Sequence, residues 1–76
     1  MINAYKLRYH PATDANDIRY TVTRVDDGKA YTVKPNYGAA NQLKHAIHDA
    51  FGEDTNRIEF IGELSKSERL YAVHHA

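Results

Sequence analysis

Seventy-six residues are enough for one domain and no more, and a domain of that size buries only about 60% of the surface its unfolded chain exposes. A deep substrate pocket would compete with the core for volume, which weighs against an enzyme. There is no cysteine, and ten basic residues cancel ten acidic ones. The first fact excludes disulfide staples and thiol nucleophiles and favours a reducing compartment. The second removes both the positive excess of a general nucleic-acid binder and the negative excess of a whole-molecule DNA mimic.

Residues 2–10 alternate, with Tyr5, Leu7 and Tyr9 on one side and Lys6, Arg8 and His10 on the other. That period predicts a strand with one wet face. Charges arrive by Lys6 and no apolar run follows, so no secretory leader is expected. No stretch approaches the roughly 20 apolar residues of a membrane span, so a cytoplasmic chain with no membrane partner is expected. Pro11 to Asp17 reads as a loop. Residues 18–25 alternate again, Ile18, Tyr20 and Val22 against Arg19, Thr21 and Thr23. Asp26-Asp27-Gly28-Lys29 is a tight-turn signal, because Asp and Gly tolerate positive φ. Residues 30–34 form the returning strand, and Pro35, which cannot donate to a ladder, ends it.

Asn36 is placed to cap a helix starting near Tyr37 and running to Phe51. Ala39, Ala40, Leu43, Ala46, Ile47, Ala50 and Phe51 recur at helical spacing and make one apolar stripe, with Asn41, Lys44, His45 and His48 on the wet side. Gly38 falls in the first turn, and Gly52 sits where a left-handed C-terminal residue belongs. Residues 57–64 alternate once more, Ile58, Phe60 and Leu64 against Glu59, Ile61 and Glu63. Ser65 to Glu68 is a turn, and residues 69–74 are a last strand, both of whose sides are apolar; the tail His74-His75-Ala76 is expected to fray.

The order is therefore β–β–β–α–β–β. A lone helix must bury its stripe against the sheet, which predicts a two-layer α+β domain: an antiparallel sheet of about five strands with one helix on one face. Leu7, Ile18, Tyr20, Val22, Leu43, Ile47, Phe51, Ile58 and Phe60 are the expected core.

No catalytic, cofactor or metal site is expected. There is no nucleophile elbow, Gly-rich phosphate loop or HExxH. His45 and His48 lie three apart on the helix, but Asp49, one residue on, points elsewhere and the ligand set stays incomplete. The wet sheet face is more informative. It brings Lys6, Arg8, His10, Arg19, Thr21, Thr23, Thr32 and Lys34 into a basic, Thr-rich patch if the first three strands pair, with Glu59, Ile61 and Glu63 at its other end. Asp49, Glu53 and Asp54 form a second acidic group at the helix end, where carboxylates oppose the dipole. Local stability does not explain them at this level. A solvated face accounts for the patch equally simply.

The layout of Tyr31 to Lys34, then Ala39 to Phe51, Arg57 to Leu64 and Leu70 to His74 resembles small anti-CRISPR proteins of phages and mobile elements. The likeness lies in size and element order, with no shared motif. It implies a non-enzymatic inhibitor in a bacterial host cell that binds a CRISPR effector complex and blocks DNA loading or nuclease recruitment. The zero net charge departs from the strongly acidic, DNA-mimicking members. The expected partner is thus a protein complex that handles nucleic acid, met by Lys6, Arg8, Arg19, Lys34, Asp49, Glu53, Asp54, Glu59 and Glu63. Direct nucleic-acid binding through the basic face is the second reading, and a homodimer pairing sheet edges the third. The chain itself is expected to be a monomer or a homodimer.

Overall fold

The computed structural model describes residues 2–35 and 41–76. The elements are β1 (Ile2–His10), a short 3-10 turn (Ala15–Asp17), β2 (Arg19–Arg24), β3 (Ala30–Val33), α1 (Gln42–Phe51), β4 (Thr55–Glu63) and β5 (Glu68–His75). The strands form one antiparallel sheet in the order β3-β2-β1-β5-β4. This is the expected α+β arrangement, three strands, a helix and two strands. The expected helix from Tyr37 is corrected: α1 begins at Gln42, because Asn41, expected on the helix's wet side, is extended at φ −130° and caps it. The expected cap at Asn36, Gly38 and the stripe positions Ala39 and Ala40 lie outside the described residues.

Local chemistry accounts for the punctuation. The β2–β3 turn closes with Gly28 at φ 71°, and the Asp27 carboxylate accepts the Lys29 N–H at 3.1 Å. Asn41 caps α1 through its side-chain oxygen, which accepts the Lys44 N–H at 3.2 Å. Gly52 ends it in the left-handed region at φ 66°, its N–H donating to the His48 carbonyl at 2.9 Å.

Register decides the two faces. Tyr5 pairs with Arg24 and Tyr71, Leu7 with Val22, and Tyr9 with Tyr20. Val73 pairs with Ile58 and Tyr71 with Phe60. All of these point to the helix side, so the last strand turns Tyr71 and Val73 inward and Leu70 and Ala72 outward. Tyr5, Val22, Leu43, Ala46, Ile47 and Val73 are the buried hydrophobic core.

Three further expectations are corrected. Phe60 is 58% exposed, not core, because it lies on edge strand β4 beyond the reach of the helix; Leu7, Ile18, Tyr20, Phe51 and Ile58 are only half-buried. Tyr5 and Val73, on the two strands that form the middle of the sheet, are fully buried instead. The C-terminal histidines do not fray: both belong to β5, and the His75 side chain is only 13% exposed. Finally, β4 is irregular between Phe60 and Gly62, leaving Ile61 as an extra residue. A one-residue slip moves every later side chain to the other face. Glu63 therefore faces Arg69 on the helix side and does not join Glu59.

Candidate functional site

The helix-side face divides into two halves. The half beneath the C-terminal end of α1 is filled by a connected polar and aromatic group. Arg24 reaches Glu53 at 2.7 Å and Asp27 at 2.6 Å, and its guanidinium lies 4.8 Å from the centre of the Phe51 ring. Phe51 makes edge contacts with Tyr5 at 5.6 Å and Tyr31 at 5.0 Å. His75 approaches Glu53 at 3.2 Å through Nδ1, without a hydrogen bond's alignment, and its Nε2 lies 3.3 Å from the Asn3 amide. Burial pushes the Tyr5 phenol above its ordinary range, with the Arg24 guanidinium opposing the shift. The Arg24 hydrogen bond, helped by the Lys29 N–H, holds the Asp27 carboxyl down to about 2.

The other half, toward the start of α1, is bare among the described residues. The reason is length: ten helical residues reach about 15 Å, whereas nine-residue strands reach about 30 Å. Tyr9 meets Tyr20 at a tilt, ring centres 5.7 Å apart, and Phe60 meets Tyr71 edge-on at 5.6 Å. Leu7 and Ile58 lie among them, and the groove so formed has a volume of about 580 Å³. Lys66 and Arg69 line it too, as do Asn41 and Gln42 at the helix start. Arg69 is 3.6 Å from Glu63, and both side chains are more than half exposed. The first turn of α1 holds no acidic residue, so the positive end of the helix dipole is left uncompensated there.

The opposite, helix-free face carries the expected basic patch in part. Register sets Lys6 beside Thr23, Arg8 beside Thr21 and His10 beside Arg19, and Thr21 beside Thr32. His10 bonds Thr21 at 2.6 Å, and Thr21 bonds Thr32 at 3.1 Å. Arg19 is turned back, donating to the Asn16 and Ile18 carbonyls at 2.7 and 2.8 Å. Lys34 lies just past β3. At the far edge Glu59 is paired with Arg57 and hydrogen-bonded to His74 at 3.1 Å, so the expected acidic end of this face is not a free negative patch.

The acidic group at the helix end is dispersed as well. Glu53 turns inward to Arg24 and His75, which gives it the structural role that sequence reasoning denied it. Asp54 lies 3.4 Å from His48, and Asp49 stays exposed on the helix. The residues that sequence reasoning missed are Tyr9, Lys66, Arg69 and Tyr71, together with Tyr20 and Phe60, which it assigned to the core. One signal was present: Gly62 inside a strand, next to the adjacent apolar pair Phe60-Ile61, marks a bulge.

Among the described residues no group of three or more histidines and carboxylates stands where it could hold a metal ion, and no helix is long and apolar enough to cross a membrane. No family model matches the chain, and no curated protein or solved structure matches it either.

Proposed function

We propose that this protein is a non-enzymatic binding protein whose partner is another protein, met through the bare half of the helix-side face. The observation that carries this reading is the exposure of Phe60, at 58%, on the wall of the aromatic groove, in the same short stretch of chain as exposed Ile61 and Leu64. A small domain that leaves clustered aliphatic and aromatic side chains in water marks a contact surface. Aromatic residues ringed by charges of both signs fit a protein interface. The balanced net charge supports the same choice, since a protein interface uses both signs and a phosphate backbone rewards only one. Lys6, Arg8 and Lys34 on the other side of the sheet then serve solubility or orient the approach.

The likeness in size and element order to small anti-CRISPR proteins makes a bacterial CRISPR effector complex the first partner to test. The experiment compares the wild type with the triple variant Phe60→Ser, Ile61→Ser, Leu64→Ser for binding to purified effector complexes and to mixed-sequence DNA, duplex and single-stranded. The reading expects wild-type binding to one protein complex, loss with the triple variant, and no dependence on nuclease treatment. Tight DNA binding that disappears with Lys6→Ala, Arg8→Ala and Arg19→Ala would overturn it in favour of the nucleic-acid reading.

A further inference from the structure

We propose that the aromatic groove accepts an extended acidic segment of the partner, with one large apolar side chain seated between the Tyr9–Tyr20 and Phe60–Tyr71 pairs and carboxylates on Lys66 and Arg69. This rests on the reading of the bare half as a protein-binding surface and names the chemistry of its occupant.

The argument is one of shape and charge. Two ring pairs, centred 5.7 and 5.6 Å apart internally, frame the groove, and Leu7 and Ile58 give it an apolar lining. At about 580 Å³ it has room for a large side chain and the backbone on either side of it. Register places Arg69 next to Leu7, within the groove, and Lys66 sits in the hairpin that closes its end. Among the described lining residues, only these two carry charge. The start of α1 adds its positive dipole end, with no acidic residue in the first turn to offset it. Glu63 holds Arg69 only loosely, at 3.6 Å with both side chains in water, and an exposed pair of that kind is worth too little to keep Arg69 from a better carboxylate.

The same features argue against a nucleic-acid strand. Two cations offer few phosphate contacts, and phosphate contacts supply most of that affinity.

Fluorescence anisotropy tests the assignment with three labelled probes on the full chain. The first is a ten-residue peptide of aspartates flanking one central Phe-Leu pair. The second replaces each aspartate with lysine, and the third is oligothymidylate of twelve nucleotides. The acidic peptide should bind best and weaken with salt. The double variant Lys66→Glu, Arg69→Glu should weaken it on the order of tenfold or more and shift preference toward the lysine peptide. Phe60→Ser should weaken both peptides, and circular dichroism should show every variant folded. Equal binding of the two peptides, preference for oligothymidylate, or no binding to any probe overturns the proposal. Its failure is separable from that of the binding reading. If a partner is lost with the Phe60, Ile61, Leu64 triple but kept by the charge-reversed double variant, the surface stands and the acidic occupant falls.

Discussion

The two halves of the helix-side face share one sheet, one register and the same kind of side chain, yet they solve different problems. Under the C-terminal end of α1, Tyr5 and Phe51 are locked by Arg24, and Arg24 is held in turn by Asp27 and Glu53. At the other end, Tyr9 meets Tyr20 and Phe60 meets Tyr71 ring to ring. Aromatic side chains are thus core where a helix and an ion-pair network cover them, and stay partly in water where, among the described residues, neither does. The difference follows from the brevity of α1 and from the bulge in β4, not from the composition of the strands.

The largest expected effect breaks the covered half. Ile47 is fully buried and lies away from the groove. Ile47→Ala should cost about 2–5 kcal/mol, enough in so small a domain to unfold much of the population. Chemical denaturation followed by far-ultraviolet circular dichroism measures it. A loss well below 1 kcal/mol would mean that α1 is not docked on the sheet as described.

A smaller effect sharpens the role of the ion-pair network, and pH reads it out. Asp27 is held well below its usual 3.8, to about 2, chiefly by its hydrogen bond from Arg24. A carboxyl whose folded pKa is depressed stabilises the fold fully above the unfolded value, and the contribution disappears as pH falls toward the folded one. The wild type should therefore lose this contribution between about pH 4 and pH 2. Asp27→Asn should start less stable at neutral pH and lose less across that window. Parallel acid limbs for the two proteins in thermal melts would remove Asp27 from the network.

The fold was legible in the sequence because its signals are local. The period-two runs placed β1 to within a residue, and Asp27-Gly28 and Gly52 marked a turn and a helix end that the backbone adopts. The site was less legible because it depends on non-local geometry. Alternation put Phe60 with Ile58 on the inner face, which is correct, but could not tell that the helix stops short of it. Uniform alternation also carried Glu63 to the same face as Glu59, because a single unpaired residue at Ile61 is invisible to a pattern count. Glu53 looked like a free negative charge at a helix end, since Arg24 and His75, its partners, come from β2 and β5. Charges sort in sequence by spacing, but they neutralise one another by topology.

The smallest expected effect lies in the bare half and carries the comparison furthest. Phe60 keeps more than half its surface in water and makes its ring contact with Tyr71. Phe60→Ser removes that edge contact and little buried area, so it should cost at most about 1 kcal/mol. The urea dependence of unfolding should stay unchanged as well, since its slope follows the surface exposed on unfolding. Set beside Ile47→Ala, the pair measures how unequally the two halves hold the fold. If Phe60→Ser costs as much as Ile47→Ala, the aromatic end is core in solution and is not available to a partner. If it costs little while partner or acidic-peptide binding is lost, then stability and recognition occupy opposite halves of one sheet face. In that case the exposed ring is retained for contact, because it adds almost nothing to the fold.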